Sequence, residues 1–196
     1  MSNVAVILAA GAGSRFRGGH HKLTTEVTTE LGARPLVEHA IEHAVASGIG
    51  PVVVVIGAAE IDLPARLAML VTVVANPGWA EGQSRSIAVG IDAARRLGAH
   101  HVLIGLGDQP GVTPEAWQAI ASAPAEWPIV AASYDGRRGP HPVRLHRSVW
   151  PLLTISGDDG ARTLMRQHPE LVYETPCAGT AADIDTLEDV QRWKSS

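Results

Sequence analysis

The chain carries a single cysteine, Cys177, in 196 residues. An internal disulfide is therefore impossible, a cysteine-rich zinc cluster cannot form, and a reducing compartment is favoured. Surplus positive charge is missing too: 16 lysines and arginines stand against 20 aspartates and glutamates, for a formal charge of -4. That balance argues against a broad basic face for duplex nucleic acid, yet it leaves room for a local pocket that takes a small anion. No apolar run approaches the roughly 20 residues of a membrane-spanning helix; Val4 to Ala10 is far too short, and the opening Met-Ser-Asn-Val lacks the basic segment of a signal peptide. The expectation is a cytoplasmic protein without membrane or nucleic-acid partners. Fixed-period repeats, low-complexity tracts and flexible linkers are also lacking, so residues 1–196 are read as one domain with one core.

What is present suits a compact α/β chain: 45% hydrophobic and 18% charged residues, with 20 glycines and 13 prolines for tight connections. Short, β-branched apolar runs at Val4 to Ala9, Val52 to Ile56, Val71 to Val74, Val102 to Leu106 and Ile129 to Ala132 read as buried strands. Between them, Pro35 opens a helix whose Leu36, Val37, Ala40, Ile41, Ala44 and Val45 share a face, closed by Gly48. A second helix runs from Ser84, read as its N-cap, through Ile87, Ile91, Ala94 and Leu97 to Gly98. Alternation of this kind implies right-handed crossovers and a three-layer αβα arrangement with a mainly parallel sheet. In the C-terminal third the pattern gives a Gly-rich turn at Asp135 to Gly139, helices near His146 to Leu153 and Asp158 to His168, a last helix after Thr186, and a small antiparallel excursion.

Ligands on such sheets bind at the carboxyl ends of the strands, and there the first strand runs into Leu8-Ala-Ala-Gly-Ala-Gly-Ser-Arg-Phe-Arg-Gly-Gly-His-His-Lys22. Small residues let backbone N–H groups approach an anion, and Arg15 and Lys22 add positive charge, which is phosphate-binding chemistry. Phe16 stands where a dinucleotide fingerprint needs its third glycine, and Gly19 follows Gly18 where a P-loop needs lysine, so neither motif applies. The competing reading is a glycine-rich turn with incidental basic residues. Arg17, His20 and His21 are read as solvated.

A second signal is Leu103-Ile-Gly-Leu-Gly-Asp-Gln-Pro110, an apolar strand ending in Asp108 at the same sheet edge. A hard cation such as Mg2+ needs few protein carboxylates and completes its shell with phosphate oxygens, and Asp108 can anchor it; an Asx-type turn before Pro110 is the alternative. Near the end, Ala182-Asp-Ile-Asp-Thr-Leu-Glu-Asp189 alternates like a short strand, placing Asp183 and Asp185 on one face with Ile184 in the core. Asp185 is then either a second metal ligand or, with Thr186, a helix cap. Asn76, Gln83 and Ser84 offer hydrogen bonds to a nucleobase, with an anion favoured at the helix terminus near Ser84. Arg137 to Val143 forms a further basic loop in which His141 is set to meet a phosphate or an acceptor, or else a solvated hairpin. His39, His43, His100, His101, His146 and His168 are read as structural, and Cys177 as inert.

Taken in order from residue 4 to about residue 190, these segments, together with Arg34-Pro-Leu-Val-Glu-His, Gly107-Asp-Gln-Pro, Gly139-Pro-His-Pro-Val and Gly157-Asp-Asp-Gly-Ala-Arg162, resemble the molybdenum-cofactor nucleotidyltransferases. That family lies within the Rossmann-type, glycosyltransferase A-like NTP transferases. The Asp-Gln-Pro and Gly-Asp-x-Gly-Ala-Arg versions are more similar to the branch that uses CTP. The resemblance implies transfer of CMP from CTP to molybdopterin with loss of pyrophosphate. It also implies a nucleotide seat at Leu8, Ala9, Ala10, Gly11 and Gly13, with Arg15 and Lys22 on the triphosphate, Mg2+ on Asp108 and Asp185, and Asn76, Gly82 and Ser84 close to the nucleotide. His141, Asp158 and Arg162 would lie nearer the acceptor, and a molybdoenzyme or its maturation chaperone would be the protein partner. A sugar 1-phosphate or another phosphorylated acceptor, or a non-catalytic nucleotide-binding role on the same fold, are the rival readings. Two departures stand out: the passage from Lys22 to Gly32 is a few residues longer than usual, and Gly-Gly-His-His before Lys22 is uncommon.

Overall fold

The computed structural model describes residues 2–16, 20–29, 31–154 and 157–194. Its frame is a seven-stranded sheet formed by β1 (Asn3–Ala9), β4 (Val52–Ile56), β5 (Val71–Ala75), β6 (His101–Leu106), β7 (Ile129–Tyr134), β8 (Arg137–His146) and β9 (Val172–Pro176) in the order β5-β4-β1-β6-β8-β7-β9. All neighbours run parallel except β8, which lies antiparallel to both β6 and β7. Each apolar run picked out above becomes a strand. β8 is the antiparallel excursion expected in the C-terminal third; its place inside the sheet is not legible from sequence because it carries Pro140, Pro142 and three arginines, a composition that reads as a loop. It enters the sheet from a hairpin turn at Asp135, which takes a positive φ of 51° beside Gly136.

Strand alternation divides the core in two. Val4, Val6 and Leu8 of β1 pack on one face with Ile87, Ile91 and Ala94 of α3 (Gln83–Arg96) and Leu164 and Met165 of α5 (Arg162–Gln167). Ala5, Ile7 and Ala9 pack on the other with α1 (Leu36–Ala46), α4 (Pro114–Ser122) and Val190 of α6 (Leu187–Lys194). Close approach sets the layer spacing: a Cβ on Gly90 of α3 would stand 2.5 Å from the Val6 side chain. A four-residue α2 (Ala65–Ala68) precedes β5.

Four expectations need correction. The helix expected over Asp158 to His168 is limited to α5, and the one over His146 to Leu153 shrinks to a 3-10 turn at Trp150–Leu152, since Pro151 cannot donate within a longer helix. Ser84 is not the cap of α3; Gly82 is, with φ 107°, and Ser84 lies in the first turn. The Asp183 to Asp185 stretch is extended but joins no ladder. The long passage after Lys22 forms a separate two-stranded antiparallel sheet, β2 (Glu26–Thr29) with β3 (Gly32–Pro35). No helix among the described residues is long and apolar enough to cross a membrane.

Arg144 is fully buried on β8 and closes the C-terminus of α4, donating from Nη1 to the carbonyls of Ala121 (3.2 Å) and Ala123 (2.8 Å) and from Nη2 to that of Pro124 (2.7 Å). A cation there answers the negative end of the helix dipole. Its neighbour His101 is buried with neither ring nitrogen hydrogen-bonded. Burial first, and the Arg144 charge second, lower the His101 imidazole to about 4, with His146 and His100 adding to the repulsion. The neutral ring therefore contributes stability that is complete above pH ~6.5, where the unfolded imidazole is also neutral, and drains away as pH falls toward about 4. Urea titrations of the parent and of His101→Leu from pH 8 to 4 should show a shallower acid slope in the variant; identical slopes would remove His101 from the acid response.

Candidate active site

β1 and β6 are parallel neighbours with Leu8 opposite Leu106, so the loops that leave them begin side by side. The Gly107 amide continues the ladder onto the Leu8 carbonyl at 2.9 Å. From this shared edge the glycine loop turns one way and Asp108 the other, and both face a cleft of about 620 Å³. Lys22, on a 3-10 turn at Lys22–Thr24, reaches into that cleft with only 9% of its surface exposed. Its ammonium lies 2.5 Å from Asp108 Oδ2 and 2.8 Å from Asp185 Oδ1. The exposed Arg15 places Nη1 2.8 Å from the other Asp185 oxygen.

Two half-buried carboxylates are thus bridged by one ammonium. Burial alone would depress the Lys22 pKa, but the charges and hydrogen bonds of Asp108 and Asp185 outweigh it and hold the group above its ordinary value. Lys22 is accordingly a fixed cation at neutral pH. Asp183, beside them, is pushed up by burial and then by Asp108, with partial relief from Gln109, whose Nε2 donates to Asp183 at 2.7 Å and to the Ala181 carbonyl at 3.0 Å. Gln109 is fully buried, so the residue after Asp108 fastens the 181–183 segment from below. The Ile184 amide donates to the Asp108 carbonyl at 3.0 Å, and Ile184 itself is core. Asp185 is then aimed by a reciprocal cap: the Asp189 amide donates to Thr186 Oγ1, while the Asp189 carboxylate accepts from the amides of Asp185 (3.0 Å) and Thr186 (2.8 Å). Capping and site placement, alternatives from sequence, are served here by different residues of one segment.

Leu8, Ala9, Ala10, Gly11, Gly13, Arg15, Lys22, Gly82, Asp108, Asp158, Arg162, Asp183 and Asp185 all line the cleft. Asn76 and Ser84 do not. Asn76 is buried, donating from Nδ2 to Ser86 (3.0 Å) and accepting the Gly78 amide (3.0 Å), so its amide group is used inside the fold. Ser84 is buried as well, its amide bonded to the Gly157 carbonyl at 2.9 Å. Gln83 and Ser86 line the cleft instead. The α3 terminus expected to favour an anion already meets one, for the Gln83 amide donates to the Asp158 carboxylate at 3.3 Å. His141 lines a separate cavity of about 380 Å³ that shares Gln83 and Arg162 with the cleft. Burial, and then Arg162, lower its imidazole to about 3 and keep it neutral. His21, expected in solvent, is hydrogen-bonded to the Gly11 carbonyl. Among the described residues no group of three or more His, Cys, Asp or Glu is arranged to hold a metal ion. The cleft offers hard oxygen donors from Asp108 and Asp185, and their present partner is a cation, so the chemistry fits a divalent ion whose shell is completed by phosphate and water.

Residues 5–172 match the MobA-like NTP transferase domain. The chain belongs to this family. It is similar to nicotine blue oxidoreductase of Paenarthrobacter nicotinovorans, with 34% identity over 95% of this chain and 94% of that one. Among solved structures, Rv0371c of Mycobacterium tuberculosis superimposes with a TM-score of 0.81 at 24% identity, covering 100% of this chain and 98% of the other, and has also been crystallised with manganese. The inositol-1-phosphate CTP transferase of T. maritima gives a TM-score of 0.73 at 16% identity, with 99% and 95% covered. These superpositions establish the Rossmann-like nucleotidyltransferase fold for the MobA-like chain.

Gly82 joins the two rims of the MobA-like cleft. A Cβ there would meet the Gly157 carbonyl oxygen at 2.5 Å, on a backbone with φ 107°. Gly82→Ala should cost about 2 kcal/mol and loosen Asp158 from α3. Urea denaturation measures the loss, and an unchanged midpoint would show that the rims do not bear on each other through Gly82.

Proposed function

We propose that this MobA-like protein transfers CMP from CTP to a phosphorylated pterin, molybdopterin, and releases pyrophosphate. The observation that carries the reading is the Lys22 ammonium held between Asp108 and Asp185 opposite the glycine loop. In the reaction an acceptor phosphate oxygen bonds to the α-phosphorus as the bond to the β-phosphate oxygen breaks, and pyrophosphate carries away that electron pair. The backbone of Leu8 to Gly13 cradles the triphosphate, and Arg15, largely exposed, exchanges Asp185 for a phosphate oxygen. Lys22, held above its ordinary value by Asp108 and Asp185, serves as a charge partner for the triphosphate. Asp108 and Asp185 would hold Mg2+, which supplies neutralisation of the charge that builds on the leaving oxygens. The neighbouring cavity with neutral His141 and Arg162 takes the acceptor. Positioning and fixed charge provide the acceleration without a covalent enzyme intermediate.

A second reading rests on one observation, the similarity along nearly the whole chain to a protein named an oxidoreductase. On that reading the same cleft holds a redox nucleotide and the neighbouring cavity a heterocycle to be reduced. The two are separated by assaying pyrophosphate release from each of the four NTPs with molybdopterin or a sugar 1-phosphate, alongside consumption of NADH or NADPH with nicotine blue.

Pyrophosphate release with CTP and molybdopterin is expected, with Lys22→Ala lowering turnover about 100- to 1000-fold. Asp108→Asn should raise the Mg2+ concentration needed for half-maximal rate. Parent-like turnover in Lys22→Ala, or oxidation of reduced nicotinamide with no pyrophosphate from any NTP, would overturn the proposal.

A further inference from the structure

The Gly-Gly-His-His run contributes one residue that the proposed chemistry does not use. His21 is half-buried, and its ring spans two pieces of backbone. Nδ1 accepts the Leu23 amide at 3.3 Å, and Nε2 lies 3.0 Å from the Gly11 carbonyl oxygen. An amide N–H can only donate and a carbonyl can only accept, so both bonds are met by one species, the neutral ring with its proton on Nε2. Gly11 opens the loop, and Leu23 follows Lys22. The ring therefore ties the start of the anion cradle to the turn that carries the site's buried cation. The His21 carbonyl takes the Thr24 amide at 3.0 Å and the Thr24 hydroxyl at 2.9 Å, which fixes the backbone from which the ring projects. Gly13 closes over the same place: at φ +60° a Cβ on it would lie 3.2 Å from His21 Nε2 and 3.2 Å from Lys22 Cγ.

We infer that His21 is a positioning residue for the triphosphate, setting the separation between the backbone amides at Gly11 to Gly13 and the Lys22 ammonium. A short, glycine-rich loop has many conformations, and ordering it on binding costs affinity. With the clip made, that ordering precedes nucleotide arrival. Loss of the clip weakens binding more than it slows transfer, because a bound triphosphate orders the loop itself once CTP saturates the cleft. The inference rests on the glycine loop being the triphosphate seat.

Two conservative variants separate the two bonds. In His21→Gln the side-chain amide reaches the Gly11 carbonyl; in His21→Asn the side-chain oxygen replaces Nδ1 toward Leu23 but the group falls short of Gly11. Calorimetry with CTP and Mg2+ should find binding about tenfold weaker in His21→Ala and His21→Asn and close to the parent in His21→Gln. Turnover at saturating CTP should change less than about threefold in all of them. Without any nucleotide, hydrogen exchange at residues 11–16 should quicken in the Ala and Asn variants alone. Equal behaviour of Asn and Gln, or unchanged exchange in His21→Ala, overturns the inference. If the parent binds no NTP, the triphosphate reading falls, and the exchange measurement still decides whether the clip orders the loop.

Discussion

Two carboxylates facing one cleft repel each other, and the ammonium of Lys22 bridges them while Arg15 adds a second positive charge on Asp185. The arrangement depends on this contact because its three members come from distant parts of the chain: a turn after the glycine loop, the end of β6 and the segment before α6. Each is brought in by ordinary fold physics. Parallel pairing of β1 with β6 aligns the two loops, and burial of Ile184 with its amide on Asp108 brings Asp185 alongside. A cation in that position draws the three segments together and leaves the carboxylates paired until another positive charge replaces it.

The same contact explains why the site reads as two halves. Leu8 to Arg15, Lys22, Asp108 and Asp185 form an electrostatic half, dominated by fixed charge and backbone dipoles. Gln83, Arg138, His141, Asp159, Ala161 and Met165 border a second half in which a neutral imidazole sits among charged and apolar side chains. Arg162 and Gln83 belong to both.

Much of this was legible from the residues. Buried parallel strands announce themselves as unbroken β-branched runs, so β1, β4, β5, β6 and the start of β7 were visible, and so was the sheet edge where Asp108 and the glycine loop converge. The alternation of Asp183, Ile184 and Asp185 was read correctly as to face even though no strand forms, because an extended chain alternates whether or not it pairs. What escaped were features decided by partners remote in sequence. Asn76 and Ser84 have the chemistry of nucleotide contacts, yet Ser86 and the Gly157 carbonyl hold them inside the fold. β8 was hidden by prolines and arginines, one of which, Arg144, is buried only because the carbonyls at the end of α4 need a donor.

The passage after Lys22 builds a two-stranded sheet of its own. Val27 of β2 is fully buried, and β2 packs against α6, on the α1 side of the main sheet. His39 of α1 anchors it, with Nε2 at 3.0 Å from the Val27 carbonyl and Nδ1 at 3.0 Å from the Thr29 hydroxyl. None of the described residues from 25 to 35 lines the cleft, whose described border in this part of the chain ends at Leu23. The Leu36 amide donates to the Thr25 carbonyl at 2.9 Å, so the two-stranded sheet is tied both to the turn that carries Lys22 and to α1, and among the described residues it leaves the lining of the cleft to other elements.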